Sequence, residues 1–115
     1  MKKRCSELLE ASVIMRVAIA TIRLMSPAEG GKRLAIRGDY RCPVFFRNVP
    51  ELSLHGYECR LLLGEISIVP GETARDVPIA FLSPNDVFPH LNIGVRFRLW
   101  EGRDIGDGEI TRMPD

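Results

Sequence analysis

No stretch of this sequence approaches the roughly 20 consecutive apolar residues that a membrane span needs. The nearest candidate, residues 7–22, is broken by Glu7, Glu10 and Arg16, and no small-residue cleavage site follows it. Cysteine is sparse. Cys5, Cys42 and Cys59 make an odd number with no paired spacing, which argues against a disulfide framework and fits a reducing compartment. Histidine is sparser still. His55 and His90 form no H-x-x-x-H pattern, and the cysteines form no C-x-x-C, so a zinc site is not expected. Charge of one sign is also lacking. The net charge of +1 creates no global field to recruit nucleic acid or acidic lipid. Repeats and low-complexity tracts are absent. These features read as a soluble cytoplasmic protein.

What is present suits one packed domain. A chain of 115 residues with 45% hydrophobic content is long enough to bury a single core. Residues 1–14 read as an N-terminal extension, either disordered or carrying a short helical turn capped by Ser6. Residues 15–115 read as the domain. Glycine and proline punctuate it into short extended segments. Residues 13–24 are rich in β-branched side chains and show no helical stripe. Pro27, Gly30 and Gly31 mark a loop. In the following segment Leu34 and Ile36 share one face, opposite Arg33, Ala35 and Arg37. Gly38 and Asp39 interrupt it, and residues 44–47 resume. Residues 48–56 read as a loop. The next strand, from Tyr57, bends or bulges at Gly64 and ends in a turn at Pro70 and Gly71. A strand from Ala74 runs into a loop containing Pro84, Asn85 and Pro89. Residues 95–99 alternate strictly, with Val95, Phe97 and Leu99 inward and Arg96 and Arg98 outward. A tight turn after Trp100 returns the chain. Many short strands with almost no helix predict an all-β sandwich or barrel, and closure of a barrel removes exposed edges.

Three glycines near the C-terminus, Gly102, Gly106 and Gly108, raise the question of a phosphate cradle. Such a loop needs a strand before it and a helix after it, because the helix N-terminus holds the anion. No helical pattern follows these glycines, and Gly31-Lys32 is followed by arginine where the phosphate loop has serine or threonine. Gly106 and Gly108 instead mark a bend or the close approach of another backbone, with Ile110 on their face. No serine lies in a nucleophile-elbow context. Glu101, Asp104, Asp107 and Glu109 flank a turn and read as solvated. A local charge bias is stronger: Lys32, Arg33, Arg37, Arg41 and Arg47 face only Asp39. Such a bias reads either as a solvated outer face or as a basic barrel face that contacts RNA backbone or an acidic protein. No aromatic platform accompanies these arginines in sequence, and Phe45, Phe46, Phe97 and Trp100 read as core or rim.

Taken in order, the motifs resemble the third, C-terminal domain of translation elongation factor Tu. They are Glu29-Gly30-Gly31, Asp39-Tyr40-Arg41 before an aromatic strand, Val69-Pro70-Gly71-Glu72, Phe97, Glu101-Gly102, and Ile105-Gly106 followed by Gly108 and Ile110. The likeness runs over about residues 15–113. It implies a closed antiparallel β-barrel of about six strands. In the factor this domain contacts the T-stem of aminoacyl-tRNA and packs on neighbouring domains and on the exchange factor. With no phosphate loop or base-recognition motif, this chain resembles a free-standing third domain that does not hydrolyse GTP. Lys32-Arg33 stands where the family has Arg-His, and Trp100 where it has an arginine.

The expected function is a non-enzymatic binding module needing no cofactor, metal or nucleotide. Its partner is tRNA or another RNA, or equally a protein. The residues expected at the contact are Lys32, Arg33, Arg37, Arg41, Trp100, Glu101 and Gly102. Two other readings stay open: a small enzyme whose site matches none of these motifs, and a structural barrel that forms oligomers.

Overall fold

A computed structural model describes residues 16–114. The proposed extension at residues 1–14 lies outside the described residues. Six strands form the domain: β1 (Val17–Leu24), β2 (Ile36–Phe46), β3 (Tyr57–Ile68), β4 (Thr73–Phe81), β5 (Arg96–Trp100) and β6 (Asp104–Arg112). They close in the order β1-β4-β3-β2-β5-β6, every pair antiparallel. The expected all-β barrel of six strands is therefore the fold. Closure is completed where β6 returns to β1, pairing Thr21 with Glu109 and Ile22 with Gly108.

Alternation drives the barrel. In β1 the side chains of Ala18, Ala20, Ile22 and Leu24 are buried, while Val17, Ile19, Thr21 and Arg23 lie between them on the outer face. β5 repeats the pattern with Phe97 and Leu99 inward and Arg96 and Arg98 outward. Period-two burial removes about half of each strand from water, and that apolar burial is the main driving force for closing the sheet. Gly38 does not end β2. It sits at a bulge, with φ +70°, where the β2–β3 register jumps from Arg37–Ser67 to Asp39–Leu62. Gly64, at φ +61°, takes up the slack on β3. Positive φ is available to glycine without a Cβ clash. Pro43 is tolerated inside β2 because the β2–β5 ladder begins only at Val44.

Loops finish the two ends. The loop after β1 carries a short 3-10 turn (Pro27–Glu29) fixed by a capping box. Glu29 N–H donates to Ser26 Oγ at 3.3 Å and Ser26 N–H donates to Glu29 Oε1 at 2.9 Å. Leu34 belongs to this loop, not to a strand. It is 77% exposed because β2 starts only at Ile36, so the expected shared face of Leu34 and Ile36 does not form. The turn Val69–Pro70–Gly71–Glu72 closes with Glu72 N–H donating to Val69 O at 2.9 Å, and Gly71 N–H donates to Leu24 O at 3.0 Å. At the other end the segment read as a plain loop folds into helix α1 (Pro84–Val87) and a 3-10 turn (Phe88–His90). Val87, Phe88 and Leu91 are buried there, and Leu52 joins the core from the loop after β2. These four side chains fill the barrel end that the strands leave open.

The core is purely apolar among the described residues. Cys42 and Cys59, which show no pairing in sequence, meet as direct cross-strand partners of β2 and β3. Both thiols are free and buried. A hydrogen bond from the Cys59 thiol to Cys42, together with burial, holds the Cys59 thiol well above its ordinary pKa. A thiol kept neutral in this way is a poor nucleophile.

Candidate binding surface

The expected contact residues divide into two groups in space. Lys32, Glu101 and Gly102 meet at the barrel end where the loop after β1 lies against the β5–β6 turn. Lys32 Nζ donates to Glu101 Oε1 at 2.8 Å, and the Tyr40 hydroxyl, rising from β2, donates to Glu101 Oε2. The same ammonium lies 5.7 Å from the Tyr40 ring centroid, within cation–π range. Arg103 completes the fastening by donating to Gly30 O at 2.7 Å and to Gly31 O at 3.3 Å. Gly102 supplies the turn at φ +74°. These groups use their charge and hydrogen-bonding capacity on one another. Their arrangement is a latch between two loops, beside a shallow depression of about 300 Å³ lined by Lys32, Arg33, Leu34, Glu101, Arg103 and Ile105.

Glu101 pays for its exposure with partners. The hydrogen bonds from Lys32 and then Tyr40 hold its carboxyl below the usual carboxylate range. Burial and the bond to Glu101 push the Tyr40 phenol upward, so it stays a donor across the ordinary pH range. Because the folded-state pKa of Glu101 is depressed, its stabilisation is present above the unfolded value and is lost as pH falls through the folded one. In thermal melts the native chain should therefore lose more Tm between pH 5 and pH 3 than Glu101→Gln does. Equal losses would remove the latch from the account of acid stability.

Arg33, Arg37 and Arg41 do not form one face. Arg33 sits in the loop with Leu34. Arg37 and Arg41 project outward from β2, on either side of the bulge. The expectation of one face shared by Arg33 and Arg37 assumed an extended chain through residue 33, and the loop removes that assumption. Arg41 shares the outer face of β2 with Asp39, Pro43 and Phe45. Asp39 is held by Arg60 through bonds from Nε at 3.0 and 3.1 Å.

A further group assembles beside β2 that sequence reasoning left scattered. Phe45 pairs with Arg98 across β2 and β5, and Val44 pairs with Leu99. That register sets Trp100 beside Pro43. Beyond Phe45, Arg47 N–H donates to Arg96 O at 2.9 Å, which sets these two arginines side by side. Phe45 and Trp100 are 37% and 38% exposed, and their rings meet edge to face at 5.9 Å and 74°. An aromatic pair therefore does accompany the arginines, against the expectation from sequence. The parity of residues 41, 43, 45 and 47 against the buried Cys42, Val44 and Phe46 carried that information. Arg98 is engaged by Asp104 at 3.0 Å. Arg41, Arg47 and Arg96 make no ion pair among the described residues. Arg47 and Arg96 also border a second depression of about 300 Å³, shared with Thr21, Arg23, Asp107 and Glu109.

The two exposed histidines lie outside the core that holds the thiols. The two thiols face the core, His55 stacks on Tyr57 at 4.5 Å, and His90 is exposed at the end of its 3-10 turn. Among the described residues no cluster of three or more His, Cys, Asp and Glu is placed to hold a metal ion, and no helix is long and apolar enough to cross a membrane. No protein-family model matches the chain, and a search of curated proteins finds no relative.

Proposed function

We propose that this chain is a non-enzymatic binding module of the elongation factor Tu third-domain type. It does not hydrolyse GTP, and it presents an arginine-bearing barrel face to an acidic macromolecule, an RNA or an acidic protein surface. The observation that carries this reading is the outer face of β2 and β5, where Arg41, Arg47 and Arg96 make no ion pair among the described residues and stand around the partly exposed Phe45 and Trp100. Guanidinium groups and aromatics are the side chains that supply most binding energy at contact surfaces. The titratable groups at the barrel end support the same reading, since Lys32, Tyr40 and Glu101 are occupied with one another.

The arginines are the variable to test. Chain carrying Arg41→Ser, Arg47→Ser and Arg96→Ser should keep its far-ultraviolet circular dichroism and Tm, because all three side chains leave the barrel outward. Partners retained by the native chain at about 150 mM salt, where exposed charges separated by more than ~8 Å are screened, should be lost from the triple variant by tenfold or more. Equal retention on both chains would sink the proposal.

A further inference from the structure

We propose that the outer face of β2 and β5 binds single-stranded nucleic acid, stacking a base on Trp100 beside Phe45 and drawing the backbone along Arg41, Arg47 and Arg96. This rests on the binding-module reading and names its ligand and its site. The site differs from the barrel end where Lys32, Arg33 and Glu101 were expected to make the contact.

Three features select this ligand. The first is the pairing of aromatic and cationic groups at regular spacing. Outward positions along β2 run Arg41, Pro43, Phe45, Arg47, and those along β5 run Trp100, Arg98, Arg96 in the same direction. Six residues of strand separate Arg41 from Arg47, about 20 Å at 3.3 Å per residue. Guanidiniums thus stand at both ends of a platform whose middle is aromatic, the combination by which barrels hold single strands.

The second is preorganisation. A Cβ on Gly56 would lie 3.0 Å from Phe45 Cζ, so the loop backbone props the Phe45 ring, and Trp100 meets that ring edge to face. A base stacks on rings whose positions are already set, so little side-chain freedom remains to be lost on binding.

The third is width. The lane is only two strands across, with strands about 4.8 Å apart, and carboxylates border it. On β3 Glu58 lies beside Pro43, and Arg60, beside Arg41, is engaged by Asp39; on β6 Asp107 and Glu109 lie beside Arg98 and Arg96. A single backbone fits between these borders, whereas a duplex would bring its second strand over carboxylates. A protein partner fits less well, because the apolar part of the face is two partly exposed rings and a proline. A stable protein interface has a broader apolar centre within about 800 Å² per side.

Trp100 is the sole tryptophan, so intrinsic fluorescence reports on the platform directly. The experiment titrates the full chain with about 12-nucleotide single-stranded RNA and DNA, within the site sizes small barrels accommodate, and with the same sequence as a duplex, at low salt. Single strands should quench Trp100 and bind more tightly than the duplex. Read by the anisotropy of a dye-labelled oligonucleotide, because these variants carry no tryptophan, Trp100→Ala should weaken binding about tenfold or more, with Trp100→Phe recovering most of it. Arg41→Ser and Arg47→Ser should each flatten the log–log salt slope by about 0.7. Circular dichroism of every variant establishes that the barrel is intact.

Duplex binding at least as tight as single strand, or single-strand binding indifferent to Trp100→Ala, would overturn the proposal. If either result came with loss of binding in the arginine variants, the binding-module reading would survive it. Absence of oligonucleotide binding at low salt would also overturn it. A protein then held by the native chain and released by the arginine triple variant would show that the lane serves a protein. Binding of any kind that ignored the arginines would overturn the module reading itself.

Discussion

Replacing Phe97 with alanine should cost the barrel about 3–5 kcal/mol, the range for removing a fully buried aromatic side chain. A domain of this size has only about 5–15 kcal/mol to lose. Phe97 has no exposed surface and stands in an inward row that crosses four strands. Ile22 of β1 pairs with Gly108 of β6, Gly108 with Phe97 of β5, and Phe97 with Phe46 of β2. The missing side chain at Gly108 is what admits the phenyl ring. A Cβ there would lie 2.5 Å from Phe97 Cζ and 2.8 Å from Ile22 Cδ1. The ring also meets Phe46 at 6.0 Å in a T-shaped contact. Removing it leaves a cavity bounded by side chains of β1, β2 and β6, and these strands are held in one closed barrel and so cannot collapse freely. A thermal melt should show a drop of more than about 12 °C. Gly108→Ala alone should cost about 1–3 kcal/mol by overpacking. Combined with Phe97→Leu it should cost less than the sum of the two single changes, because the shorter side chain vacates the space the methyl needs. Additive losses, or a Phe97→Ala melt within a few degrees of native, would show that the row does not hold the barrel.

That row shows what was legible in the sequence and what was not. Inward alternation at Val95, Phe97 and Leu99 was visible, since period-two burial is a local property of a strand. So were the turn at Pro70 and Gly71 and the bend at Gly64. The closeness implied by Gly106 and Gly108 was also visible, though only half of its cause. Gly106 does meet a backbone, its absent Cβ falling 2.5 Å from Arg23 O, whereas Gly108 makes room for a ring. Strand neighbours beyond consecutive hairpins were not legible from residue pattern. β1 lies between β4 and β6, and β2 between β3 and β5. The candidate surface suffered from the same limit. Phe45 and Trp100 are 55 positions apart, and only the β2–β5 register makes them one platform. Likewise Cys42 and Cys59 became neighbours through a ladder, with no spacing rule to announce it. The bulge at Gly38 was read as an interruption because glycine signals a break in regular geometry. It does not say whether the strand resumes on the same ladder.

Gly31→Ala is the second change expected to be severe, and it reaches the barrel end through the loop that carries Lys32. Two adjacent glycines here answer two different demands. Gly30 takes φ +95° at the end of the 3-10 turn, yet a Cβ added there meets nothing within 4 Å. Asparagine, which tolerates the left-handed region, should replace it at small cost. Gly31 has the opposite problem. A Cβ would lie 2.2 Å from Met25 O and 2.7 Å from Met25 C, both backbone atoms. Met25 N–H is itself bonded to Ile105 O at 2.9 Å, and Gly31 N–H donates to Ser26 O at 2.9 Å. The carbonyl therefore cannot retreat without loosening the join of β1 to β6, and the loop must move instead. Moving the loop removes the Gly31 carbonyl from Arg103 and draws Lys32 away from Glu101. The steric cost is about 1–3 kcal/mol, and the freed capping and latch bonds add to it. Gly31→Ala should therefore melt well below Gly30→Asn, by about 8 °C or more. It should also lose the acid-dependent part of the stability that Glu101 confers, so that its Tm between pH 5 and pH 3 falls no faster than that of Glu101→Gln. If Gly31→Ala kept the native pH profile, the loop would have absorbed the methyl without disturbing Lys32. The close approach at Met25 would then be a local accommodation, and the latch would be independent of it.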